Sequence, residues 1–91
     1  MARLVCKVSP GLRDAEVTVE LHDYHGRPEY LPVERDFVVE EGGKTYLPVT
    51  LVQRSADGKA FVVGLPVEAD SGAHRIWVKA SDLKDLTEAV A

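Results

Sequence analysis

The sequence predicts an all-β domain, a small antiparallel barrel of five to six strands with a short C-terminal helix. Three observations predict it. Fourteen valines stand against nine leucines and one isoleucine, and a side chain branched at Cβ fits a pleated strand better than a helix. Ala15, Val17, Val19 and Leu21 alternate with Glu16, Thr18, Glu20 and His22, the period of a strand with one dry and one wet face. Glu41-Gly42-Gly43-Lys44 and Asp57-Gly58 separate apolar runs, and glycine at such points accepts the positive φ of a tight hairpin.

Each element follows in turn. Residues 2–8 form a first strand with Leu4, Cys6 and Val8 on one face, broken by Ser9-Pro10-Gly11. Residues 15–22 are the second. His25-Gly26-Arg27-Pro28 is turn chemistry, followed by a long irregular connection to about Arg35. Phe37, Val38 and Val39 open a third strand, which the Gly-Gly turn returns into residues 45–53. There Thr45, Leu47, Val49, Leu51 and Gln53 share one side. Lys59–Val67 carries Phe61, Val63, Leu65 and Val67 in phase, and Arg75–Lys79 closes the set with Ile76 and Val78 inward. Ser81 reads as a helix N-cap, with Asp82 in the first turn and Leu83, Leu86 and Val90 at helical spacing. Leu-Pro-Val recurs at 31–33, 47–49 and 65–67, which reads as strands that start or bend at proline.

Ninety-one residues make one domain over 1–91, with its core in about 15–83. The apolar share of 45% and charged share of 29% are those of a globular chain. The formal net charge of −4, with eleven basic residues spread singly, argues against nucleic acid and anionic lipid as partners. No run approaches the roughly 20 apolar residues of a membrane span, and Lys7 interrupts the only apolar start a signal peptide could use. A single cysteine allows no disulfide within these residues and no zinc site built on paired thiolates. A cytoplasmic, bacterial-type setting is the expectation.

Glu20-Leu21-His22-Asp23-Tyr24 resembles the Ala-Leu-Tyr-Asp-Tyr segment that opens SH3 domains. A long loop and hairpins follow, with Asp57-Gly58 in the distal-turn position, and Trp77-Val78-Lys79-Ala80-Ser81-Asp82-Leu83 is similar to the closing stretch of bacterial SH3-like domains. The resemblance covers about residues 20–83 and implies an SH3-like barrel. It does not extend to proline-motif recognition. The family's groove tryptophan follows the n-Src loop, whereas the one tryptophan here lies near the end. The family's closing Pro and Tyr fall at Lys79 and Asp82, leaving Tyr24 from the aromatic set.

The candidate residues divide by chemistry. Trp77 is expected to face outward with Arg75 and Lys79, because Ile76 and Val78 face in. With Tyr24 they form a candidate partner surface, since tryptophan and arginine are enriched where interfaces gain most of their affinity. The competing reading is that the C-terminal helix covers the indole with Leu83 or Leu86. His22, Asp23 and His25, with His74 as a possible third nitrogen ligand, are the residues a metal would use, if a turn brought them together. Asp70-Ser71-Gly72 and Ser81-x-x-Lys84 echo hydrolase motifs without their partners and read as turn and cap chemistry. Glu34, Asp36, Glu40 and Glu41 read as a solvated rim, and Cys6 as a small buried hydrophobe.

The expected function is therefore a non-catalytic protein-interaction or accessory module without cofactor, whose partner is another protein or a second copy of itself. The alternatives are a small metal- or ligand-binding protein centred on His22–His25 and a nucleic-acid-binding barrel using Arg75, Trp77 and Lys79.

Overall fold

The structure, a computed structural model, describes residues 2–85. Among these residues every regular element is a strand or a single 3-10 turn. The strands are β1 (Ala2–Pro10), β2 (Glu16–His22), β3 (Pro28–Glu34), β4 (Val39–Glu41), β5 (Lys44–Arg54), β6 (Ala60–Gly64), β7 (Arg75–Lys79) and β8 (Leu83–Lys84). All pairings are antiparallel, in the order β3-β2-β1-β5-β6-β7, with β4 on β5 and β8 on β1. The sheet curls into a half-barrel. No helix among the described residues is long and apolar enough to cross a membrane.

Two long strands make the spine. Ala2–Cys6 of β1 pairs with Thr45–Val49 of β5. On its other side β1 holds β8 at Arg3 and Leu4, then β2 from Lys7 to Pro10. β5 likewise holds β4 at Lys44–Tyr46, then β6 from Thr50 onward. Pro48 sits in the interval where β5 has neither neighbour on that side, so no ladder there lacks its amide. Two three-stranded meanders thus diverge from one central ribbon.

The core lies inside the curl and holds no buried polar side chain among the described residues. Leu4, Val17, Val19, Leu21, Leu31, Leu47, Val49, Phe61, Val63, Ile76 and Val78 fill it. Burial pushes the thiol of Cys6 up to about 11, so at neutral pH it is an inert, protonated core group.

The expected alternation is observed in β2, β6 and β7, with four departures, the first being that β6 ends at Gly64 instead of running to Val67, which is 37% exposed. Val8 is 38% exposed although Leu4 and Cys6 are buried. At Lys7 the strand leaves the stretch that pairs with β5 and runs on with β2 alone. In β5 a bulge between Leu51 and Gln53 leaves both Val52 and Gln53 outside, because an extra residue breaks the two-residue period. Phe37 falls in the 3-10 turn Arg35–Phe37 rather than in β4.

The stretch expected to be an irregular connection is strand β3. Its two prolines obscured it, and the structure explains their tolerance. Tyr30 turns its carbonyl away from β2, to accept the Asp70 N–H at 2.8 Å. Pro28 and Pro32 share that register, so the N–H groups they lack would have pointed to the outer edge. Proline there costs no ladder bond and leaves a poor template for strand addition.

Among the described residues the expected C-terminal helix is not seen. Ser81 lies in the 3-10 turn Ala80–Asp82, and Leu83 and Lys84 are extended, paired with Leu4 and Arg3. Burying Leu83 against the core and pairing Lys84 and Arg3 with Glu41 favours the strand. Leu86 and Val90 lie outside the described residues. The Gly42-Gly43 hairpin is as expected, with φ of 60° and 80°. Gly11 has a different reason to be glycine: a Cβ there would sit 2.5 Å from the Glu16 carbonyl oxygen.

The phase of β1 yields a paired expectation. Leu4→Ala should cost about 2–5 kcal/mol of unfolding free energy, whereas Val8→Ala, outside the core, should cost no more than about 0.5 kcal/mol. Denaturant titration of both variants checks it. Equal losses would mean that Val8 belongs to the core.

Candidate functional site

The two outer strands approach each other without forming a ladder. Tyr24 N–H donates to the Trp77 carbonyl at 2.7 Å, and Asp70 N–H to the Tyr30 carbonyl at 2.8 Å. The Ser71 hydroxyl donates to Glu29 Oε1 at 2.6 Å. These bonds pin the β2–β3 turn to β7 and the β6–β7 loop to β3. The Ser71 segment, as expected, is turn chemistry.

Local chemistry sets the position of Tyr24. Asp23 Oδ1 accepts the backbone N–H groups of His25 and Arg27, both at 2.9 Å. Asp23 N–H donates to the Arg27 carbonyl and Gly26 N–H to the Asp23 carbonyl. Partial burial pushes the Asp23 carboxyl up. The Arg27 and His25 amides and the Arg27 charge outweigh it and hold the group below its ordinary value. Tyr24 therefore projects from a rigid turn, its ring edge-on to His25 at 5.5 Å.

Trp77 is set by β7. Leu65 N–H donates to the His74 carbonyl and Ala80 N–H to the Lys59 carbonyl. The even-numbered residues thus turn their amides to β6 and their side chains inward. Arg75, Trp77 and Lys79 turn theirs to the open edge and to solvent, with Trp77 43% and Tyr24 38% exposed. Across β6, Trp77 is opposite Val62, with Ala60 and Gly64 opposite Lys79 and Arg75. Leu83, one of the two residues that the competing reading would lay over the indole, is drawn to β1; the other, Leu86, lies outside the described residues.

Two shallow hollows flank Tyr24. One, of about 310 Å³, is lined by Tyr24, His25, Ser55, Asp57, Ala60 and Trp77. The other, of about 370 Å³, is lined by Tyr24, Gly58, Lys59, Lys79, Ala80 and Ser81. The fold thus brings Tyr24, Trp77 and Lys79 together, with Arg75 on the same strand face but lining neither hollow. Ser55, Asp57 and Lys59 complete the site and were not legible in the sequence. Asp57-Gly58 announces a turn, but only the curl of the sheet brings that turn to Tyr24.

Serine, histidine and aspartate around one hollow invite comparison with a hydrolase, and the bonding is wrong for it. The Ser55 hydroxyl donates to Asp57 Oδ1 at 2.6 Å and accepts the Ala60 N–H at 3.1 Å. The hydrogen bond from Ser55, then that from the Lys59 amide, holds the Asp57 carboxyl below its ordinary value. No hydrogen bond joins His25 to Ser55 among the described residues, so no imidazole faces the hydroxyl, whose one acceptor is the carboxylate of its own turn.

The metal candidates are not brought together. Asp23 spends Oδ1 on the turn, His22 faces Glu20 at 3.5 Å, and His25 lies against Tyr24. Among the described residues no three His, Cys, Asp or Glu side chains converge, with or without His74. Of the acidic rim, Glu41 holds Lys84 and Arg3. Glu34 and Asp36 line a third hollow of about 390 Å³ with Val33, Phe37, Pro66 and Val67.

The chain matches no protein-family profile, no curated protein and no solved structure.

The Asp23 turn is open to test by pH. A carboxyl held below its ordinary value stabilises the fold above the ordinary carboxylate range and loses that contribution as pH falls through its folded pKa. Asp23→Asn, which keeps an acceptor oxygen, should flatten the acid limb of the stability profile. Asp23→Ala should lose about 1 kcal/mol at neutral pH through the missing hydrogen bonds. Thermal melts across pH check both; an acid limb unchanged in Asp23→Asn would remove the turn from the account.

Proposed function

We propose that this chain is a non-catalytic protein-interaction module of SH3-like barrel architecture, acting as an accessory subunit in the cytoplasm. One observation carries the reading: a half-exposed tryptophan stands on the outer face of β7 between two cations, beside a tyrosine fixed by its own turn. A large aromatic left in water gains most when a partner desolvates it, and arginine neighbours add charge-assisted contacts. The hollows beside Tyr24 are shallow and open, as suits a protein surface rather than an enclosed small substrate. The SH3-like assignment is supported by the all-strand antiparallel curl and by the Glu20–Tyr24 and Trp77–Leu83 segments. Proline-peptide recognition is not proposed, because Trp77 lies on the last long strand.

A second reading, single-stranded nucleic acid stacked on Trp77, is favoured by Lys59, Arg75 and Lys79, which have no ion-pair partner among the described residues. Aromatic stacking with nearby cations is how such strands are held without sequence preference. The net charge of −4 weighs against it.

The test is capture from the lysate of the host by the tagged chain, with Trp77→Ala alongside. A protein partner retained by the parent chain and lost by Trp77→Ala, at unchanged melting temperature, is the expected result. A partner set indifferent to Trp77→Ala removes the reading. Nuclease-sensitive capture that falls steeply with salt moves the assignment to nucleic acid.

A further inference from the structure

The hollow lined by Val33, Glu34, Asp36, Phe37, Pro66 and Val67 lies away from Trp77 and shares no residue with the hollows beside Tyr24. Its floor is apolar. Phe37 and Val67 are left partly in water, at 39% and 37% exposure. Glu34 and Asp36 stand at it with no hydrogen bond or ion pair to any described residue. The one cation between them is engaged elsewhere: Arg35 donates through Nε and Nη2 to the Asp14 carbonyl, at 3.2 and 2.8 Å. Glu68 follows Val67 and adds to the same sign. The pocket is therefore apolar and aromatic within a rim of net negative charge, Arg35 being turned to the Asp14 carbonyl.

The face around Trp77 is its complement. One indole stands between Arg75 and Lys79, on alternate residues of a single strand face, so about 7 Å separates each cation from the next side chain on that face. An aromatic with flanking cations matches an apolar hollow with flanking carboxylates. Phe37 adds a ring against which an indole or a guanidinium can pack.

We infer that the Arg75-Trp77-Lys79 face of one chain docks into the Val33–Phe37 and Pro66–Val67 hollow of a second copy. The inference rests on the reading of Trp77 as a contact residue and names its partner. The two patches differ, so the contact is heterologous. It closes into a pair only if both copies exchange Trp77 at once, and otherwise propagates from copy to copy. The charges steer the encounter and set the register, while the buried indole supplies affinity.

Reversing the charges tests this directly. Glu34→Lys with Asp36→Lys makes both patches cationic; Arg75→Glu with Lys79→Glu makes both anionic. All four side chains are exposed, and unchanged melting temperatures verify that the variants fold. In sedimentation velocity, the parent chain should associate as concentration rises towards about 1 mM. Each double variant alone should bind itself at least about tenfold more weakly. An equimolar mixture of the two should regain association, because each then offers what the other lacks. A parent chain that stays monomeric, a variant that associates like the parent, or a mixture that stays apart would each overturn the inference. A monomeric chain whose capture of another protein still requires Trp77 would overturn self-docking and leave the interaction reading intact.

Discussion

The pairing of Ala2–Cys6 with Thr45–Val49 is the constraint on which the other elements depend. It joins the two ends of a long loop of chain, a costly closure by entropy, and it buries Leu4, Leu47 and Val49 where the two meanders meet. From this ribbon β2 and β3 leave on one side, β6 and β7 on the other. Because each strand twists, the two wings curl toward each other rather than lying flat. Their meeting line is held by two backbone hydrogen bonds and one side-chain bond.

That seam connects architecture to function. A continuous β3–β7 ladder would have bonded both edges along their length. Instead Tyr24 meets Trp77 at one point, and the outward register of β7 keeps Arg75, Trp77 and Lys79 on the solvent face. The Asp23 and Asp57 turns supply the rest of the surface, each stiffened by a carboxylate that accepts backbone N–H groups. Their lowered pKa values report this structural duty. Asp23 and Asp57 organise loops, and among the described residues no hydroxyl or thiol is hydrogen-bonded to a histidine.

Period-two alternation made most of the fold legible. It correctly set the faces of Val17, Val19, Leu21, Phe61, Val63, Ile76 and Val78, and with them the outward direction of Trp77. It failed where a strand changes partners, as at Val8, and where a bulge adds a residue, as at Gln53. It failed also at β3, since proline is an adverse sign in a strand unless its register on an edge is known. The C-terminal pattern misled for another reason: Leu83 at helical spacing from Leu86 is equally able to pair beside Leu4. Of the candidate surface, Tyr24, Trp77 and Lys79 were legible and came together. Ser55, Asp57 and Lys59 were not, because their proximity is a product of the curl.

The central claim is that Trp77 stands in water between cations on the free chain. As the only tryptophan, it reports on itself, and quenching of its fluorescence by iodide compared with caesium, at high dilution, tests this most directly. A half-exposed indole flanked by Arg75 and Lys79 predicts efficient quenching by the anion, weak quenching by the cation, and a difference that shrinks as salt screens the charges. A blue-shifted emission that neither ion quenches would mean that the indole is covered in the free chain, and would contradict the account.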